Sequence, residues 1–110
     1  MSGFIADTPE PPYYAVIFPN VKSEETQDYE AMADKMVQLA SQQAGYLGIE
    51  SVSDAQGNAI TISYWESEEA ILAWKKNTAH QQAQDTGKAV WYKDYRVRVA
   101  KVERAYGMKS

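Results

Sequence analysis

The hydrophobic residues of this chain alternate between strand-like and helix-like spacings. The continuous apolar run over 13–18, ended by Pro19 and Asn20, predicts a strand buried on both faces. Ser23 and the two glutamates after it have the features of a helix start, a capping hydroxyl followed by acids at the positive end of the helix dipole. Apolar residues then recur at helical spacing as far as Gly45, which is placed to end that helix.

A hairpin is predicted in the middle of the chain. Residues 46–53 and 59–65 read as strands, and the segment 54–58 between them has turn composition with a glycine. In the second strand, Thr61, Ser63 and Trp65 fall on one face by alternation.

The C-terminal half predicts two helical segments and a last strand. Ser67 and the following pair of glutamates start a second helix, and a capping-box pattern at Thr78 predicts a short further helix to Gly87. The last strand is predicted over 92–106, where the apolar positions change phase. That change suggests a bulge, or a strand covered on both sides.

The resulting order is strand, helix, strand, strand, helix, strand. Its economical packing is an α+β domain with a four-stranded antiparallel sheet and both helices on one face. The second face is too apolar to lie in water, so we expect it to pack on another copy in a homodimer. The domain is predicted over 13–106, with an N-terminal tail or arm over 1–12 and a C-terminal tail over 107–110.

Composition narrows the classes of partner. The net charge is −4 and the isoelectric point is about 4.9. Proteins that bind nucleic acid through its phosphates normally have an excess of basic residues and a basic face. Nucleic acid and anionic membranes are therefore not expected partners. The chain has no cysteine, which removes disulfides and thiolate chemistry and fits a reducing cytoplasm. No segment reaches the roughly 20 apolar residues that span a bilayer. We therefore expect a soluble cytoplasmic protein.

The candidate site lies where the second hairpin strand meets the second helix. This stretch contains the only histidine of the chain, His80, and we expect an apolar cavity between the helices and the sheet here. The candidate catalytic residues are His80 and Tyr64, and the candidate substrate-binding residues are Thr61, Ser63, Trp65, Trp74 and Asn77.

Each of these residues also has a purely structural interpretation. Trp65 and Trp74 would then pack the helix onto the sheet, and His80 would lie on a helix surface. As a functional group, His80 is the side chain whose unperturbed pKa lies near neutrality, so it could act as a base or a haem ligand. A lone histidine without cysteine does not make a zinc site, so no metal is expected.

The run from Tyr64 to Ala70, followed by Trp74 and by Asn77 to His80, resembles the antibiotic biosynthesis monooxygenase (ABM) family. The later run over 87–104 looks like the C-terminal part of its uncharacterised bacterial members. The resemblance implies a ferredoxin-like fold that pairs into a dimeric α/β barrel. It also implies one of several activities. Some members oxidise aromatic polyketide-like compounds with O₂ without metal, flavin or haem, others bind and degrade haem, and many have no known activity.

Carried over residue by residue, the resemblance is partial. Trp65 matches the pocket tryptophan of the cofactor-free monooxygenases, but Thr61 stands where they place an asparagine and Ile71 where they place a tyrosine. In the haem-degrading branch, the histidine ligand is separated from the helix tryptophan by more residues than His80 is from Trp74. That branch also has an asparagine in the first strand, which has no counterpart within 15–17 of this chain.

Three functions follow from these observations. The first is a cofactor-independent monooxygenase acting on a small aromatic substrate, and the second is a non-catalytic small-molecule binding or stress-response protein with the same pocket. Haem binding or degradation is the weaker third.

Overall fold

The computed structural model describes residues 3–23, 29–84 and 92–108, with the side chains of 29–33 and 78–84 left outside the description. Within these residues the elements are two helices and five strands. They are β1 (Tyr13–Lys22), α1 (Tyr29–Ser41), β2 (Tyr46–Ser53), β3 (Asn58–Trp65), α2 (Glu68–Gln84), β4 (Tyr92–Tyr95) and β5 (Arg98–Val102). The predicted helix start after Ser23 and helix end at Gly87 lie outside the described residues.

The strands form one antiparallel sheet in the order β2-β3-β1, with β4 and β5 both pairing with β1 on its other side. This is the ferredoxin-like arrangement, so the predicted α+β class is confirmed. The hairpin between β2 and β3 is closed by Asp54, whose Oδ1 accepts the backbone N–H groups of Gln56 and Asn58, both at 2.9 Å. Ser67 caps α2, because its Oγ accepts the N–H of Ala70 at 3.1 Å.

Two details of the predicted elements were wrong. The second helix does not stop before Thr78, because α2 runs without a break to Gln84. The last strand is divided at Arg96–Val97, so the sheet has five strands where four were expected.

The cause of the division of the last strand lies on the neighbouring strand, β1. Asn20 faces Tyr95 and Ile17 faces Arg98, so the register is unchanged across the break and no bulge lies there. Arg96 N donates to Pro19 O at 3.0 Å, but Pro19 has no N–H to return the bond. The register shift of this strand instead lies between Val21 and Lys22.

One face of the sheet carries the helices. Trp65 at the end of β3 packs on Ala40 of α1 and Ala70 of α2, which defines the helix face. Because side chains alternate along a strand, Ser63, Thr61 and Ala59 lie on the same face.

The opposite face is covered at one end by the chain itself. The N-terminal arm (residues 3–12) lies against this face, where Ala6 N donates to Glu50 Oε2 at 2.9 Å and Thr8 Oγ1 bonds Tyr13 Oη at 2.8 Å. Tyr13 and Ala15 are accordingly only 4% and 5% exposed. At the other end of this face, Val52 and Ile60 are about half exposed. The face that we expected to meet a second copy is therefore partly covered already.

Candidate functional site

Trp65 is the most deeply buried large side chain in the described part of the chain, with no exposed surface. Its Nε1–H donates to Ser63 Oγ at 2.9 Å, which satisfies the only polar atom of the indole. The ring stacks on Trp74 at 5.9 Å between centroids, and Tyr46 meets it edge-on at 5.7 Å. These contacts hold the indole in a single orientation between the sheet and both helices.

The structure thus brings three of the predicted substrate-binding residues together: Ser63, Trp65 and Trp74. The other two lie at the periphery. The hydroxyl of Thr61 bonds Ser51 Oγ at 2.9 Å on the neighbouring strand. The exposed Asn77 donates from Nδ2 to Gln43 Oε1 at 2.9 Å, and so ties α2 to the loop after α1.

Tyr64, a predicted catalytic residue, points to the opposite face. Its hydroxyl donates to Glu50 Oε1 at 2.7 Å, and its ring meets Tyr13 edge-on at 5.8 Å. Burial, and then the carboxylate of Glu50, raises the pKa of Tyr64 well above its usual value. A phenol with a raised pKa stays protonated near neutral pH, so Tyr64 is suited to donate a hydrogen bond and not to remove a proton.

The second predicted catalytic residue, His80, lies in the last third of α2. Its side chain is outside the described residues. Its role as a base stays a prediction.

A cavity of about 660 Å³ lies at the end of the sheet where β1 meets the hairpin turn and the break between β4 and β5. Its lining does not include Trp65. The lining residues are Pro19, Asn20, Val21, Val52, Ser53, Asp54, Asn58, Ala59, Ile60, Asp94, Tyr95, Arg96 and Arg98. In the sequence, Pro19 and Asn20 indicated only the end of a strand. The feature that could have indicated this cavity was a polar residue directly after a long apolar run.

The described residues contain no group of three or more His, Cys, Asp or Glu side chains that could hold a metal ion. Within the same residues, no helix has the length and apolar character needed to cross a membrane.

Comparison with known proteins identifies relatives by sequence and by fold. The family model described as antibiotic biosynthesis monooxygenase matches residues 12–86. The uncharacterized protein YqjZ of Bacillus subtilis (strain 168) is 55% identical over 104 residues, which cover 94% of this chain and 91% of that protein.

Two solved structures share the fold at low identity. Protein SO0527 from Shewanella oneidensis superposes with a TM-score of 0.70 at 11% identity, covering 90% of this chain and 100% of that one. PA3566 from Pseudomonas aeruginosa superposes with a TM-score of 0.65 at 16% identity, covering 89% and 99%. At these identities the likeness establishes the fold alone.

Proposed function

Because the chain belongs to the antibiotic biosynthesis monooxygenase family, we propose that it oxidises a small, electron-rich aromatic compound with O₂, without a metal, flavin or haem cofactor. The observation that carries this proposal is Trp65, which matches the family's pocket tryptophan and is fixed by Ser63 and Trp74. Because Trp65 has no exposed surface, it would shape the site from behind, by fixing the position of apolar side chains such as Val16 that pack against it.

The substrate would lie on the helix face of β1, beyond Trp65. Val16 packs against the Trp65 cluster, and Val99 beside it on β5 is half exposed. Phe18 continues the same face one step further along β1 and contacts the rings of Tyr92 and Tyr95. This apolar surface would exclude water from a bound ring.

The proposed reaction converts a ring methylene into a carbonyl. A base removes a proton from the methylene, the resulting carbanion donates electrons to O₂, one oxygen atom remains in the product as C=O, and the other leaves as water. All of the electrons come from the substrate, so no cofactor is required for the balance. His80 would be the base, since its unperturbed pKa lies near the operating pH.

A binding protein without catalysis is the second candidate. It is favoured by the complete burial of Trp65 and by the bond that already satisfies its Nε1, because both leave the indole little surface for a substrate. The presence of Thr61 and Ile71 in place of the family's asparagine and tyrosine supports the same alternative. Haem binding is the third candidate, since His80 could serve as an axial ligand.

The assembly we propose is a homodimer in the cytoplasm. The half-exposed Val52 and Ile60 would be covered by the second copy, while the N-terminal arm covers the other end of the same face. Light scattering during size-exclusion chromatography should give close to twice the 12.4 kDa chain mass. A monomer at micromolar concentration would contradict the dimer.

The activity is tested with anthrone, a reduced tricyclic aromatic ketone, as the probe. An oxygen electrode should record O₂ uptake, and mass spectrometry with ¹⁸O₂ should find one labelled oxygen in the anthraquinone product. His80→Gln should lower turnover by about 10²–10⁴-fold, the usual contribution of a general base. Lys75→Gln, an exposed change on the same helix, is the control and should leave turnover unchanged.

The three candidates give different results in this experiment. Binding of anthrone without O₂ uptake would select the binding protein over the monooxygenase. A Soret band in the purified protein would select haem binding. Turnover that is equal in His80→Gln and the wild type would remove His80 as the base.

A further inference from the structure

The N-terminal arm (residues 3–12) gives the face of the sheet opposite the helices two unlike ends. At one end, which we call the arm end, the arm is bound to Glu50 and Tyr13. At the other, which we call the bare end, Val52 and Ile60 are about half exposed and line the cavity of about 660 Å³. An apolar surface of this kind, next to a surface already covered by the chain itself, indicates where a partner would bind.

The outward surface of the arm is apolar above β2 and acidic nearer β1. The arm crosses the sheet from β1, where Thr8 is bound, to β2, where Ala6 is bound. Ile5, next to Ala6 in the sequence, is 67% exposed. Asp7 and Glu10, on either side of Thr8 in the sequence, are both exposed. No lysine or arginine occurs in the arm, so its charge is negative.

The bare end divides apolar and charged residues across the sheet in the same way. Val52 lies on β2, and Ile60 faces it on β3. Arg96 and Arg98 lie beyond β1, and the strand register places both on the same face as Val52. The bare end is thus apolar over β2 and β3 and carries exposed arginines beside β1.

Two aspartates also line the cavity, but the arginines determine the sign of its charge. The carboxylate of Asp54 is held in the hairpin turn by backbone N–H groups of the turn itself. Asp94 alone is then left against Arg96 and Arg98. This excess of positive charge is complementary to an acidic segment, and complementary charges fix the orientation in which two surfaces bind.

The thickness of the arm limits how two copies can meet face to face. Two sheets pack about 10 Å apart, with side chains of both filling the space between them. Two arms placed opposite each other would fill that space twice at one end and hold the bare ends apart. Tyr13 at the arm end and Pro19 at the bare end are six residues of β1, or about 20 Å, apart. A twofold axis that runs across the strands places the arm end of each copy on the bare end of the other, with β2 above β2.

We propose that, in the homodimer, the N-terminal arm of each copy binds in the cavity at the bare end of the other copy. Ile5 then contacts Val52 of the partner subunit, and the two carboxylates of the arm lie beside the arginines of the partner subunit. The contact occurs twice, because a twofold axis repeats it. The inference rests on the homodimer proposed above and does not depend on monooxygenase activity.

Pairs of introduced cysteines can locate this contact, because the chain has no cysteine of its own. Ile5→Cys and Val52→Cys are co-expressed as full chains and treated with a short bismaleimide crosslinker. We expect a covalent dimer of about twice the 12.4 kDa chain mass on a denaturing gel, and none when either variant is expressed alone. Asp7→Cys co-expressed with Arg98→Cys tests the charged part of the contact in the same way.

Leu72→Cys is the matched control. Leu72 is an apolar residue of α2 that is 57% exposed, about as much as Val52, but α2 lies on the other face of the sheet. Co-expressed with Ile5→Cys, it should give no covalent dimer. All of the substituted side chains are exposed, so the variants should fold, and each cysteine pair still tests the proposal if a variant of the other pair does not.

Light scattering on the untreated proteins separates this inference from the homodimer on which it rests. A covalent dimer of Ile5→Cys alone would mean that arm meets arm, and dimeric proteins in which neither pair is crosslinked would mean that the arm lies elsewhere. Either result would overturn the inference and leave the homodimer in place. A monomer in light scattering would overturn both.

Discussion

The hydroxyl of Tyr64 and the carboxylate of Glu50 meet at 2.7 Å on the face of the sheet opposite the helices. The other oxygen of the same carboxylate accepts the backbone N–H of Ala6 at 2.9 Å. One carboxylate therefore connects a strand side chain to the N-terminal arm. Hydrogen bonds to a carboxylate are shorter and stronger than hydrogen bonds between neutral groups.

We expect Tyr64→Phe to loosen this connection. The variant keeps the ring contact with Tyr13 but removes one donor to Glu50, so the free energy of unfolding should fall by about 1–2 kcal/mol. Urea unfolding measures the change. Tyr14→Phe, the same substitution in β1 on the helix face of the sheet, is the control and should have a smaller effect. A loss no greater than that of the control would show that the bond contributes nothing.

A methyl group at Gly48 should displace the arm. A Cβ at this position would lie 2.8 Å from the Cβ of Ala6, which is closer than non-bonded carbon atoms approach one another in folded proteins. We predict that Gly48→Ala speeds proteolytic cleavage within residues 3–12, because the arm must move off β2 to relieve the contact. Limited proteolysis with mass spectrometry of the fragments checks this. Cleavage at the wild-type rate would mean that the arm is not held there in solution.

Gly45 and Gly57 form a natural pair for separating backbone strain from steric overlap. Both have positive φ, +87° and +92°, where an L side chain is disfavoured. A Cβ at Gly45 would lie 2.6 Å from Ala70 Cβ, whereas one at Gly57 would have its nearest neighbour at 3.6 Å. Gly45→Ala should therefore destabilise the chain by about 1–3 kcal/mol more than Gly57→Ala does. Equal losses of stability of the two variants in thermal unfolding would indicate that backbone strain alone accounts for both.

Alkaline pH should destabilise the fold through Tyr64 and Tyr46. Burial raises the pKa of both phenols in the folded chain, and for Tyr64 Glu50 adds to the effect. The stabilisation from a raised pKa is complete below the unfolded value of about 10 and is lost as the pH rises above it. In a pH titration followed by absorbance at 295 nm, a fraction of the tyrosines should ionise at higher pH than the rest. That fraction should be absent in concentrated urea. Tyr64→Phe should shrink that fraction.

The order of the elements could be predicted because its signals are local. Turn residues at 54–58, the cap at Ser67 and the period of the apolar residues each act within a few positions of the chain. The error in α2 has a local cause too. No glycine or proline interrupts 68–84, so helix propagation overrides the capping pattern at Thr78.

The remaining features depend on residues far apart in the sequence. The break between β4 and β5 is caused by Pro19, which only the strand pairing brings beside Arg96. The packing of the arm depends on Glu50, which had no visible role in the sequence. At the site, the alternation of side chains along β3 correctly predicted that Ser63 lies on the same face as Trp65. The free space around the indole depends on how both helices pack on it, which the alternation of apolar and polar residues does not determine.

The missing N–H of Pro19 also bears on solubility. Beyond β1 the sheet ends in an exposed edge, and an edge strand is a template on which another chain can add a strand. Here the edge is divided into stretches of 4 and 5 residues, too short and discontinuous to template a long ladder. Pro19→Val would supply the missing N–H, which would donate to the carbonyl oxygen of Arg96 and join the two stretches. We expect that variant to be locally more stable but to aggregate faster, which light scattering on mild heating would measure. A single proline would then be what prevents strands of other chains from adding to this edge.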